Sequence, residues 1–134
     1  MTVKGLLLRF LLIYFMLLSL GGLIIDYFNI QAGSWINISI LIGLVYWLCI
    51  SFGKKNKRYF TKNEKRATIL GIVTIDMLLQ LIVGIVYIYS TNTKLNSAVL
   101  VTIISSIGLL HILIVYYLVG SIKKILIKQN VIID

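Results

Sequence analysis

The sequence predicts an all-α integral membrane protein: a four-helix bundle of two antiparallel hairpins with both termini cytoplasmic. Three observations lead there. The 134 residues are 60% hydrophobic, too apolar for a soluble domain of this length. Four apolar runs each approach the ~20 residues that a helix needs to cross the hydrocarbon core. The cations are divided twelve to one between the two sides that four spans would create.

The first span covers about 6–25. Lys4 and Arg9 give it the positive start of a signal peptide. The run is long, however, and cleavage after Ser19-Leu20-Gly21 would leave three spans and an extracellular start, against the charge distribution. A retained helix is expected. The second span, about 35–52, contains Cys49, the only cysteine. One thiol forms no internal disulfide, and Cys49 reads as a small buried hydrophobe. Ser39-x-x-x-Gly43 in the same span is a small-residue packing signal.

A basic loop, 53–66, follows. It holds Lys54, Lys55, Lys57, Arg58, Lys62, Lys65 and Arg66. Within it Thr61-x-x-Glu64 is a capping box, in which the Thr hydroxyl and the Glu carboxylate each accept from the other residue's amide. The third helix should therefore start a turn or more before its apolar part. The third span runs over about 67–89 and the fourth over about 98–122. The chain lacks proline, so these helices should be nearly straight, unlike the broken helices of many ion-coupled transporters.

Charge gives the orientation. Lys4, Arg9, the seven loop cations, Lys123, Lys124 and Lys128 fall on one side and only Lys94 on the other. The positive-inside rule puts the crowded side in the cytoplasm, and so strong a bias argues against dual-topology insertion. Aromatic belts are expected at Tyr27, Phe28, Trp35, Tyr87 and Tyr89 outside, and at Tyr46, Trp47, Phe52, Tyr116 and Tyr117 inside.

Asp76 is the only acidic side chain in the interior of a span. A carboxylate at the bilayer centre costs roughly 3 kcal/mol on insertion scales and more in simulations, so such a residue is paired, neutralised or facing water. At 100° per residue, Asp76, Gln80 and Tyr87 share a stripe with Ile69, Ile72 and Val83, with Gly84 beside it. His111 in the fourth span shares a face with Ile104, Ile107, Gly108, Val115 and Leu118. A rise of about 1.5 Å per residue sets Asp76 about 13 Å and His111 about 16 Å above the inner ends of their spans. The two residues could therefore meet. Two readings stand side by side: an interhelical hydrogen bond that fixes bundle register, or a titrating, ligand-binding pair.

The basic loop is expected to contact anionic lipid headgroups, each cation there being worth about 1 kcal/mol. The alternative is that its charge only sets topology. Nucleic acid is not expected, because no recognition fold accompanies the charge. Catalysis is not expected either: there is one histidine, no paired carboxylate site and no metal cluster, so no metal or cofactor is assigned.

The stretch from Phe52 to Gly71 resembles a family of small four-span bacterial inner-membrane proteins. An aromatic (Phe52), a basic run with an Arg (Arg58) and a Thr-x-x-Glu step (Thr61, Glu64) carry the resemblance, with Phe60 where a proline is common. It implies the architecture and a bacterial inner membrane, and no activity. Leu8-Arg9-Phe10-Leu11-Leu12 and Ser51-Phe52 are similar to small four-span proteins that flip polyprenyl-linked sugars. Taken together, the expectation is a non-catalytic inner-membrane protein acting by intramembrane or loop contacts with a membrane partner, of immunity or modulator type, or with a second copy. The alternative is a small transporter or lipid-linked sugar flippase using Asp76.

Overall fold

Long apolar runs without proline leave the backbone one economical way to satisfy its own polar groups inside a bilayer, which is to become helix. The computed structural model describes residues 1–28, 35–91 and 97–132. Four α-helices occupy almost all of them: α1 Val3–Tyr27, α2 Trp35–Asn56, α3 Lys62–Thr91 and α4 Ser97–Lys128, with no strand among the described residues. Each helix is long and apolar enough to cross a membrane, the candidate spans being Val3–Ile24, Ile36–Asn56, Lys62–Val86 and Ser105–Lys128. The protein is thus an all-α chain with the makings of a multi-pass membrane protein. Lys94 and the connections 29–34 and 92–96 lie outside the described residues, as do the side chains of Trp35, Tyr87 and Tyr89.

Helix α1 packs on α2 and α3, and α4 packs on the same two. Among the described residues α1 and α4 form one diagonal of the bundle, and α2 and α3 the other. Two glycines allow close approach. A Cβ on Gly53 of α2 would lie 2.4 Å from Leu126 Cδ1 of α4, and one on Gly71 of α3 would lie 2.5 Å from Leu7 Cδ1 of α1.

The core is concentrated at the end that carries the N-terminus and the α2–α3 connection. Leu6, Phe10 and Tyr14 are the buried residues of α1. They recur every fourth position and so share one face. Burial in α2 runs from Leu41 to Gly53, in α3 it stops at Leu79, and in α4 it extends from Gly108 to Leu126. Beyond these limits Leu20, Leu23, Ile24, Leu81, Ile82, Val83, Ile85 and Val86 are exposed. One half of the bundle is packed on itself, while the other half shows apolar side chains to its surroundings.

The packed end is also tied by polar contacts. The Met1 ammonium donates to Asn56 Oδ1, and Asn56 Nδ2 donates to the Met1 carbonyl at 2.8 Å. The Tyr59 hydroxyl donates to the Val119 carbonyl at 2.5 Å, and burial pushes this phenol up to about 12. Helix α2 stops at Lys57, whose φ of 51° lies in the left-handed region that ends helices. After α4, Asn130 takes the same conformation (φ 54°), and the Val131 amide reaches back to the Leu126 carbonyl at 3.0 Å.

Two expectations need correction. Phe52 is fully buried beneath Phe60, with ring centroids 4.1 Å apart, and does not stand in a lipid-facing belt. Among the described residues nothing lies within 4 Å of where a Cβ on Gly84 or Gly43 would stand, so neither provides a close approach between the described parts of the bundle. Within the basic segment 53–66, α2 runs on to Asn56 and α3 starts at Lys62, directly after Thr61.

Candidate functional site

Asp76 is completely buried at the limit of the packed half, and three helices supply its partners. Tyr14 of α1 donates its hydroxyl to Oδ1 at 2.6 Å. Gln80, one turn further along α3, donates Nε2 to the same oxygen at 2.8 Å. His111 of α4 meets Oδ2 through Nδ1 at 2.5 Å, and Gln80 Nε2 lies 3.2 Å from that nitrogen. Both carboxylate oxygens are therefore engaged, which removes much of the cost of placing an isolated carboxylate among apolar groups.

Local packing explains how the residues come together. Phe10 and Tyr14 stack at 5.0 Å on the inward face of α1, which holds the phenol against α3. Gly108, one turn before His111, faces Met77, where a Cβ would lie 2.8 Å from Met77 Cε. The missing side chain lets α4 approach α3 at the level where the imidazole meets the carboxylate. With α3 and α4 joined at this level, a bond from Tyr14 brings α1 into the same network.

The cluster does not end at protein on every side. Gln80 and His111 line a pocket of about 280 Å³ together with Asn37 and Ile38 of α2 and Ile107 and Leu110 of α4. The pocket lies on the side of Asp76 away from the packed core. Its walls are aliphatic, and its polar surface comes from an amide, an imidazole and Asn37. Among the described residues, no three His, Cys, Asp or Glu side chains converge as a metal site would require.

The basic residues are elsewhere. Lys54, Lys55, Lys57, Lys62 and Arg66 are exposed at the packed end. Arg58 and Lys65 are engaged with the protein. Arg58 forms a two-pronged ion pair with Glu64 at 2.7 and 2.8 Å and lies 5.8 Å from the centre of the Phe52 ring. Lys65 lies 5.0 Å from the centre of the Tyr116 ring. The Arg58 guanidinium and the Thr61 amide hold the Glu64 carboxyl down at about 2. Both bonds of the capping box form, Thr61 N to Glu64 Oε2 at 2.9 Å and Glu64 N to Thr61 Oγ1 at 3.3 Å. Phe52, Arg58, Phe60, Thr61 and Glu64 thus make one connected clamp at the α2–α3 joint. These contacts, with the burial of Phe52 and Phe60 in the core, account for the spacing of that motif as architecture.

Asp76, Gln80 and His111, singled out in the sequence, stand within hydrogen-bonding distance of one another. Tyr14 was missed. The available signal was its position: a tyrosine eleven residues into a helix of 25, rather than at either end, where interfacial aromatics gather. Comparison with protein-family models, curated proteins and solved structures finds no match, so the functional reading rests on this geometry.

Proposed function

We propose that this chain is a non-catalytic, multi-pass protein of a bacterial inner membrane, N-in and C-in, that binds a small ligand within the bilayer at the Asp76–His111 centre. This is the role of a small transporter. The observation that carries it is the pocket ending on Gln80 and His111. A carboxylate needed only as a register pin would be better served by apolar packing on all sides, because every opening to a polar ligand loosens the pin. Two antiparallel hairpins, α1–α2 and α3–α4, fit the contacts of Met1 with Asn56 and of Asp76 with His111. With the basic end in the cytoplasm, the pocket opens towards the outer leaflet and the packed half closes the inner side. The exposed Lys54, Lys55, Lys57, Lys62 and Arg66 then sit at the anionic headgroups of the inner leaflet.

The test is access to the pocket. In a Cys49→Ala background, Ile107→Cys should react with a small impermeant thiol reagent added outside intact cells, and Lys57→Cys should not. Ile107→Trp, which fills the pocket, should abolish stabilisation by small polar-headed solutes seen with the parent protein in lipid nanodiscs. An unreactive Ile107→Cys, or solute effects equal in both proteins, contradicts the reading.

A second reading is favoured by one observation. Gly43 is exposed on α2 with nothing within 4 Å of its would-be Cβ, leaving a flat place on which another helix could pack closely. A membrane partner, or a second copy of the chain, docked there would make the protein a modulator. Gly43→Leu should disrupt such an assembly in mild detergent and leave the monomer folded.

A further inference from the structure

The hydrogen bonds of the polar centre are one-sided, and this gives the ligand a chemical class. All bonds made by His111 among the described residues run through Nδ1, and all those made by Gln80 run through Nε2. Thr68 Oγ1 is the one buried side-chain nitrogen or oxygen left without a partner among the described residues. Among the described residues Gln80 Oε1 and His111 Nε2 have no partner either, and both residues line the pocket.

What the pocket meets depends on the protons held by the pair. With one proton between them, Nδ1–H donates to the Asp76 carboxylate, the 3.2 Å approach of Gln80 Nε2 to that nitrogen is then no hydrogen bond, and Nε2 presents a lone pair. The centre then carries one negative charge and turns two acceptors to the pocket, Gln80 Oε1 and His111 Nε2, while Asn37 on the α2 wall adds a neutral amide that can donate or accept. A second proton places an N–H on Nε2, whether the first stays on Nδ1 or passes to Asp76. The centre is then neutral, and one acceptor has become a donor. Among the described residues Tyr14 of α1 is the other titratable group facing the pair, and it donates to Oδ1. Helix α2 contributes Asn37 and Ile38 to the pocket, neither of which titrates.

A ligand that donates N–H bonds and carries one positive charge matches the singly protonated pair and is rejected by the doubly protonated one. Ile38, Ile107 and Leu110 require the rest of it to be apolar. We infer that the pocket takes a hydrophobic organic ammonium ion in exchange for one proton of the Asp76–His111 pair. No covalent bond is made: the ammonium keeps its protons and donates them as hydrogen bonds, while the proton leaving the imidazole passes to water at the pocket mouth. Charge within the bilayer is the same before and after, so the exchange avoids the cost of adding a bare ion. The inference rests on the ligand-site reading and adds the ligand's class and its coupling to protons.

The test uses 2-phenylethylammonium with the full chain in lipid nanodiscs, and empty nanodiscs to subtract partitioning. Its N,N,N-trimethyl analogue keeps the charge without N–H donors, and 2-phenylethanol keeps a donor without the charge. Calorimetry in two buffers of different ionisation enthalpy counts the protons released. The expected result is one proton released per ammonium bound, with affinity rising tenfold per pH unit while the pair is doubly protonated. The trimethyl analogue and the alcohol should each bind at least tenfold more weakly. His111→Gln keeps a side chain able to bond Asp76, and should fold while losing both proton release and pH dependence. Equal binding of the alcohol, ammonium binding without proton release, or no ammonium binding overturns the inference. Labelling of Ile107→Cys in the same preparation then separates the two claims: a reactive thiol leaves the ligand-site reading standing, and an unreactive one removes it as well.

Discussion

The hydroxyl of Tyr14 and the carboxylate of Asp76 meet at 2.6 Å across the α1–α3 contact, 62 residues apart in the chain. This bond links the first half of the protein to the pair that α3 and α4 form in the second. Without it, Asp76 Oδ1 would keep only Gln80, from its own helix.

Tyr14→Phe should therefore destabilise the protein in bilayer or detergent by about 0.6 kcal/mol, the average for interhelical bonds in membrane proteins, and by no more than about 2 kcal/mol. The stacked ring on Phe10 is retained, so the change isolates the hydroxyl. Asp76→Leu and His111→Leu should be non-additive, because contacting residues couple by about 0.5–3 kcal/mol. Chemical or steric-trap unfolding of the two single variants and the double variant measures the coupling. Strict additivity would refute the contact.

Glu64 makes the joint between α2 and α3 sensitive to acid. Its carboxyl is held at about 2 against an ordinary 4.5, through Arg58 first and the Thr61 amide second. The folded-state value lies below the unfolded one, so the stabilisation is complete above about 4.5 and is lost as pH falls towards 2. The pair is exposed, so added salt should weaken it. Hydrogen exchange at the first amides of α3 should accelerate over that acid range in the parent protein, and be fast and pH-insensitive, beyond intrinsic exchange, in Glu64→Ala.

The glycines should rank by what a methyl group would meet. Gly53→Ala drives its Cβ into Leu126, which is fully buried and has nowhere to go; overpacking of this kind costs about 1–3 kcal/mol. Gly71→Ala meets Leu7, which is only partly buried and can swing outward. That strain is offset by the ~1 kcal/mol helix-propensity gain of Gly to Ala. Gly84→Ala meets open space and should be neutral or stabilising. Unfolding free energies in the order Gly84→Ala, Gly71→Ala, Gly53→Ala, from most to least stable, check the packing.

Much of this architecture was legible in the sequence, for physical reasons that also mark where legibility ended. Four apolar runs and the Thr61–Glu64 box specify helices and one helix start, because both depend on local groups alone. Asp76, Gln80 and His111 could be brought together because helix rise and period are fixed numbers. Tyr14 could not, since helical wheels are ambiguous when every face of a helix is apolar. Phe52 misled for a related reason: an aromatic at a span end suits the interface, and only the fold of 57–61 places Phe60 over it. The confinement of burial to one half of the bundle left no sequence signature, because lipid and core accept the same side chains.

The most direct test of the Asp76–His111 centre as a binding site is Asp76→Asn, with stability and ligand binding measured on the same nanodisc sample. Asparagine keeps the shape and can still accept from Tyr14 Oη and Gln80 Nε2, but it carries no charge and no exchangeable carboxyl proton. A binding role for the centre predicts unfolding within about 1 kcal/mol of the parent, the scale of a single retained hydrogen bond, together with loss of 2-phenylethylammonium binding and of proton release. Ammonium binding that persists in Asp76→Asn at parental affinity, with the same proton count, would contradict it.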